Sequence, residues 1–236
     1  MSVRARGLRV AVWQCGSLPG DIAGNLARLA TAAERVDADV LVTPEMFLTG
    51  YDVGAVPGLD PAGPEFAAVA EVTRRTGVAI AYGYPEALPG GGIANAAQLV
   101  DGGTSVGRYR KAHLFGDLDA TRFAPGSDFP VFELRGRTVG MLICFDVEHP
   151  EAVRALATAG AEVVLVPTAN MAEYPTVSTA LVPAHAREAG VAIAYANYSG
   201  TEGALDYAGL STIVGPDGSA LVLAAADGEA LLAAEV

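Results

Sequence analysis

Apolar runs of strand length alternate with helical patterns along almost the whole chain, and this alternation constrains the fold more than any other feature. Residues 8–13 read as a strand. Residues 21–36 read as a helix whose Ile22, Leu26, Leu29, Ala30 and Ala33 share a face, and residues 40–42 as a short buried strand. A second helix at 64–76 is closed by Gly77, and strands at 78–82, 94–100 and 105–109 follow between glycine-rich turns. The second half repeats the rhythm: a hairpin of 132–134 and 138–143 around Arg135-Gly136, a helix at 150–159 with Pro150 first, and a strand at 163–166. A helix at 177–189 with an expected kink at Pro183 follows, then a strand at 191–196, then strands within 209–236 around Pro216-Asp217-Gly218 and Asp227-Gly228. No linker or composition shift divides the 236 residues, so a single domain, 1–236, is expected. Its class is α/β, with sheets covered by helices on one face.

Bulk properties narrow the function. Hydrophobic residues make up 51% and charged residues 18%, enough for a sizeable core. The formal net charge of −12, from 27 acidic and 15 basic residues, repels phosphate backbones and argues against a nucleic-acid partner. Cys15 and Cys144 are too few for a secreted disulfide framework. The N-terminus, Met1-Ser2-Val3-Arg4-Ala5-Arg6, is basic, but Val10-Ala11-Val12-Trp13 runs straight into Gln14 and a turn, so it reads as a strand rather than a signal core. No apolar run approaches the roughly 20 residues of a spanning helix, so no membrane partner is expected. The expectation is a reduced, cytoplasmic, soluble protein.

Three strand ends carry candidate chemistry. In Val42-Thr43-Pro44-Glu45-Met46-Phe47 a carboxylate follows an apolar strand among apolar neighbours, where desolvation would suit it to act as a base. Taken alone, it reads more simply as a cap or surface Glu. In Tyr109-Arg110-Lys111-Ala112-His113-Leu114-Phe115 the Lys could hold an oxyanion, or be surface charge like Arg108 and Arg110 beside it. In Val139-Gly140-Met141-Leu142-Ile143-Cys144-Phe145-Asp146 a Cys stands between a strand and a helix start, where backbone N–H groups and the positive helix end favour thiolate. The alternative is an inert buried thiol, the role assigned to Cys15.

Together these segments resemble the nitrilase superfamily, the carbon–nitrogen hydrolases with a Glu–Lys–Cys triad. The order Glu45, Lys111, Cys144 agrees, as do Pro44-Glu45-Met46-Phe47-Leu48-Thr49-Gly50-Tyr51, Ile143-Cys144-Phe145-Asp146 and the lysine segment above. Supporting matches include Gln14, Gly20-Asp21, Asn25-Leu26, Phe123-Ala124-Pro125-Gly126, Pro150-Glu151 and Gly209-Leu210-Ser211-Thr212-Ile213. The resemblance implies a four-layer αββα sandwich pairing into an eight-layer dimer. It also implies a mechanism: Glu45 as base, Cys144 as nucleophile, and an oxyanion held by Lys111 and the backbone N–H of Phe145. The family often carries a second Glu where this chain has the shorter Asp119, which either orients Lys111 or substrate or is a plain loop carboxylate. Tyr51, His113, Asn170 and Met171 are substrate-binding candidates. Asn170 reads equally as turn chemistry, and His113 as structural. The run Tyr195-Ala196-Asn197-Tyr198 could also line the pocket.

The family covers several reactions. Its true nitrilases usually carry Cys-Trp-Glu, whereas Cys144-Phe145-Asp146 matches amidase-like branches. Carbamoyl amino-acid hydrolases place two Arg where this chain has Val147 and Glu148. The pattern resembles bacterial aliphatic and amino-acid-amide amidases most. The expected substrate is therefore a small amide, with nitrile or N-carbamoyl amine hydrolysis, or a silent scaffold, as alternatives. Glu148 suits an amine-bearing substrate or a helix N-terminus. His113, His149 and His185 are scattered with no metal-binding word, so no metal and no cofactor are expected. A mean hydropathy of +0.34 suggests apolar surface that needs a partner, and the helices at Pro150 and Pro183 are the expected homodimer contacts.

Overall fold

The computed structural model describes residues 7–52 and 54–236. The basic Met1–Arg6 stretch singled out in the sequence lies outside the described residues. The first half runs β1 (Arg9–Gln14), α1 (Ile22–Arg35), β2 (Val40–Val42), α2 (Pro64–Thr76), β3 (Ala79–Ala87), β4 (Ile93–Asp101), β5 (Thr104–Arg110) and α3 (Gly116–Ala120). The second runs β6 (Val131–Leu134), β7 (Arg137–Met141), a 3-10 turn (Cys144–Glu148), α4 (Pro150–Thr158), β8 (Val163–Pro167), a π-helical turn (Val177–Leu181), α5 (Val182–Ala189) and β9 (Ala192–Ala196). The chain closes with β10 (Ser199–Glu202), β11 (Leu205–Ala208), β12 (Thr212–Val214), β13 (Ala220–Leu223) and β14 (Ala230–Glu235).

These strands build two six-stranded sheets, ordered β14-β1-β2-β3-β4-β5 and β13-β12-β9-β8-β7-β6. In each, three parallel strands form the centre (β1-β2-β3 and β7-β8-β9) and antiparallel strands flank them. Both faces of the central strands are buried, which is why they read as unbroken apolar runs. Val10 and Val12 of β1, Val40 and Val42 of β2, and Ala79 and Ala81 of β3 join the core shared with the second sheet. The alternate residues Ala11, Trp13, Leu41, Ile80 and Tyr82 pack with Leu29 and Ala33 of α1 and Val69 of α2. On the second sheet, Gly140 of β7 leaves room for Leu156 of α4; a Cβ there would lie 2.8 Å from its side chain. The result is helices, sheet, sheet, helices.

Sequence and structure differ in informative places. The helix expected over 177–189 is a π-helical turn followed by α5. Pro183 lacks the N–H that a regular ladder needs, and a widened turn accommodates the gap. The β10–β11 hairpin and α3 are additional elements. Glycines and short polar residues hide the hairpin, and α3 spans only five residues, too few to show a period.

The topology gathers the candidate residues. Glu45 follows the carboxyl end of β2, Cys144 follows β7, Ala169 to Met171 follow β8, and Lys111 follows β5, which runs parallel to β3. The carboxyl ends of parallel strands are where sites form in such sheets. The two sheets meet there, with Glu45 N–H donating to Thr168 O at 3.2 Å. Gly83 in β3 permits the approach. A Cβ at Gly83 would lie 2.4 Å from the Met46 nitrogen and 2.9 Å from both the Glu45 carbonyl carbon and the Pro44 oxygen. Gly83→Ala is therefore expected to displace the Glu45 segment and cost about 1–3 kcal/mol. Urea unfolding measures this; an unchanged midpoint would show that the segment moves freely.

Candidate active site

The site is built around a buried carboxylate. Pro44 ends the run after β2, and the next side chain, Glu45, is fully buried. Its Oε1 accepts from Lys111 Nζ at 2.8 Å and from Asn95 Nδ2 at 2.6 Å. Its Oε2 is buried with no hydrogen-bond partner among the described residues. Burial pushes the Glu45 carboxyl up from its ordinary value; Lys111 opposes that rise and Asp119 adds to it. Met46, one residue on, sits at φ 51°, a left-handed conformation that is costly for a side chain of its size.

Lys111 is also fully buried. Its backbone is held on both sides, donating to Asn95 O and accepting from Gly126 N–H, each at 2.8 Å. Its Nζ donates to Glu45 at 2.8 Å and to Asp119 Oδ2 at 2.6 Å. Burial opposes the ammonium charge, but neighbouring negative charge, that of Glu45 foremost, outweighs it and holds Lys111 well above its usual value. Asp119 is itself oriented by Tyr51 OH at 2.9 Å on Oδ1 and by Phe115 N–H at 3.0 Å on Oδ2. The shorter acid in α3 therefore reaches Lys111.

Cys144 opens the 3-10 turn at φ 46° and is partly exposed. Asp146 holds that turn in place: its fully buried carboxylate accepts from Ile143 N–H (3.1 Å), Tyr109 OH (2.8 Å) and His113 N–H (2.8 Å), and lies 2.9 Å from His113 Nδ1. The sequence led us to expect helix-end stabilisation of a thiolate. The structure corrects this. Helix α4 begins at Pro150 as expected, but desolvation, followed by the charge of Glu45, pushes the Cys144 thiol well above its ordinary value; Lys111 and a hydrogen bond from the Ala169 backbone pull it back. The surroundings thus favour the neutral thiol, with the Glu45 charge near enough to act on it. Cys15 is buried, with its thiol pushed up to about 12, and its bridge to Tyr198 is structural.

A cavity of about 130 Å³ opens at Cys144, lined by Tyr51, Phe115, Phe145, Glu148, Asn170, Met171 and Tyr174 among others. It is well below the roughly 300 Å³ at which drug-sized pockets begin, so it suits a small acyl group. The larger open cleft around Glu86, Arg108 and Arg110 has no cysteine among the described residues that line it. Tyr51, Asn170 and Met171 line the cavity as the sequence suggested. The Asn170 amide, however, is committed to the turn, donating to Tyr174 O at 2.9 Å.

His113 does not line the cavity. It bonds Asp146 and stacks on His149 with ring centroids 3.8 Å apart. Asn197 is likewise absent from the cavity wall; its buried amide ties Asn170 O to Gly209 O. Sequence reasoning missed Asn95, the second partner of Glu45, whose only signal is a lone amide within an apolar strand. It also missed Tyr109 as a partner of Asp146. Far from being scattered, His113, His149 and Glu151 bring nitrogen and carboxylate atoms within 4.8 Å of one another. The two rings are nearly parallel, at 10°, so no ion can lie in both ring planes, and the cluster fits no tetrahedral metal.

Comparison with known proteins decides the family. A family model described as carbon-nitrogen hydrolase matches residues 9–236. The chain belongs to the carbon–nitrogen hydrolase family. This hydrolase is 50% identical over 95% of its length to a protein of Pseudomonas protegens named "Hydrolase in pqqF 5'region", covering 81% of that protein. It is 35% identical over 93% of its length to an (R)-stereoselective amidase from a Pseudomonas species, covering 82% of it. Among solved structures, it is similar to an amidase of the nitrilase superfamily from Nesterenkonia sp. AN1. The TM-score is 0.90 and the identity 34%, with 97% of this chain and 93% of that one covered, and that structure carries acrylamide added at the active-site cysteine.

The Asp146 clamp has a pH signature in this hydrolase. Its hydrogen bond with Asp146 raises His113 above 6.5, with burial opposing. A group raised on folding contributes stability that is complete below its unfolded pKa and is lost as pH rises through the folded value. The stability margin of the natural protein over His113→Phe should therefore be largest below about pH 6.5 and shrink at alkaline pH. Urea unfolding across that range tests it, and a margin independent of pH would count against a titrating pair.

Proposed function

We propose that this enzyme hydrolyses a small amide to its acid and ammonia through a thioester on Cys144. The observation that carries this reading is the unpartnered Glu45 Oε2, a basic oxygen left free beside a neutral thiol while Oε1 is fully engaged. Oε2 takes the thiol proton as Sγ attacks the amide carbon. The oxyanion that forms is stabilised by Lys111 and the Phe145 N–H. Collapse breaks the C–N bond, and Glu45 returns the proton to the departing nitrogen, which leaves as ammonia. Water then gives a proton to Glu45, attacks the thioester carbon and breaks the C–S bond; the thiol regains its proton and the acid leaves. Asp119 holds Lys111 in place, Asn95 fixes the Glu45 rotamer, and Tyr51, Asn170 and Met171 contact the acyl group.

The same centre could accept a nitrile or a carbamoyl amine. The amide reading is preferred because a relative named as an amidase and a similar structure titled as one match most of the chain. A silent scaffold is disfavoured by the intact cluster of Glu45, Lys111 and Cys144. Both cysteines are free, which suits a reducing cytoplasm, and no described helix is long and apolar enough to cross a membrane. Cys144→Ala should abolish ammonia release with the fold intact. Cys144→Ser should be nearly inactive, since a carboxylate deprotonates a hydroxyl far less readily. Ammonia assays on small amides, with circular dichroism for folding, check both; appreciable turnover by Cys144→Ala would refute covalent catalysis at this position.

The reading extends to assembly. We propose a symmetric homodimer through α4 and α5, whose packing would brace the Cys144 turn that immediately precedes α4. The mean hydropathy of +0.34 supports a partnered surface. Light scattering at micromolar protein is expected to give twice the chain mass; a monomer with full amidase activity would show that pairing is neither formed nor needed.

A further inference from the structure

Glu148 is a carboxylate that the chemistry above leaves unused. It closes the 3-10 turn that Cys144 opens, so the turn carries nucleophile and acid on one short segment. Glu148 lines the small cavity at Cys144 and also the shallow groove outside it, formed with Tyr174, Val177, Leu181 and Ala184. Among the described residues no side chain or backbone group hydrogen-bonds or ion-pairs with its carboxylate. It is partly buried, and burial raises its carboxyl, with only the more distant Lys111 opposing. A partly desolvated anion with no partner is a poor structural element, because its lost hydration is not replaced.

The rest of the cavity points the same way. Among the described residues its lining includes no Lys, Arg or His. Lys111, the neighbouring cation, is already shared between two carboxylates. Aromatic rings surround the opening: Phe115 meets Phe145 edge-on at 5.3 Å and Tyr174 at 6.0 Å. The faces of such rings attract a cation and disfavour an anion. The formal net charge of −12 adds long-range attraction for cations.

We propose that Glu148 is the ammonium-binding residue of the substrate pocket, so the preferred substrate is a small amide whose acyl part carries a protonated amine, as in an amino-acid amide. This rests on the amidase reading and adds its substrate class. Glu148 determines specificity and takes no part in bond breaking.

Alaninamide and propionamide differ chiefly by the amine, and the former is largely protonated near neutral pH. The test is the ratio of their kcat/KM values from ammonia release. The expected ratio is about tenfold or more in favour of alaninamide, carried mainly by KM, with Glu148→Gln reducing it by a similar factor and Glu148→Asp retaining part of it. A purely structural role for Glu148 would change both substrates together and leave the ratio alone. A natural-protein ratio at or below one, or a ratio unmoved by Glu148→Gln, overturns the proposal while leaving the amidase reading intact. If Glu148→Gln does not fold, the ratio of the natural protein decides alone. If neither amide releases ammonia nor acylates Cys144 by intact mass, both this proposal and the amidase reading fall.

Discussion

The Lys111 ammonium, enclosed by Glu45 and Asp119 and shut off from water, is the interaction on which the rest of the site depends. A buried cation must be paired, and leaving either partner uncompensated costs on the order of 3–5 kcal/mol. Pairing here links the loop after β2, the end of β5 and the short helix α3. α3 spans five residues, too short to be stable in isolation, and Asp119 anchors it both to Lys111 and to its own first turn through Phe115 N–H. Tyr51 then binds the other Asp119 oxygen and brings in the segment after Glu45.

Against that fixed charge, Glu45 and Cys144 are poised by opposite means. Two donors hold one oxygen of Glu45 and leave the other without a hydrogen-bond partner among the described residues. Cys144 is held by its backbone: a left-handed residue at the head of a turn, clamped by Asp146 to β5 and the His113 loop. Met46 beside Glu45 is left-handed too, so both reactive side chains sit next to or on strained backbone that the surrounding packing maintains.

Much of this is legible in the sequence, and the unread parts share a cause. Val40 to Val42 and Val139 to Met141 are apolar because both of their faces are buried, so the strand ends that present Glu45 and Cys144 stand out. Asn95 does not stand out: it is one amide in β4, set opposite Pro85 by the antiparallel register, and only the folded sheet brings its side chain to Glu45. Asp146 looks like a helix-start acid, yet its partners Tyr109 and His113 are more than 30 residues away. The sequence leaves His113 open between pocket wall and structural residue, and the turn of the chain after Lys111 settles it by pointing the ring at Asp146. Local patterns reveal which residues are buried; they do not reveal which distant polar group each buried polar atom meets.

The closing strand β14 has a consequence for how the molecule is made. It pairs along its whole length with β1, Arg9 against Glu235 through Gln14 against Ala230. Trp13 Nε1 donates to Glu229, and the Gln14 amide to Ala225 and Gly228, across more than 200 residues of sequence. Such contacts close a very long loop, and chains dominated by them fold slowly. A ribosome emitting this chain delivers β1 more than 200 residues before its edge partner. Until residue 235 emerges, β1 presents an unpaired strand edge of the kind that recruits stray chains. The first sheet is thus assembled early but sealed late, and the interval between the two is when a nascent chain of this fold is most exposed to aggregation.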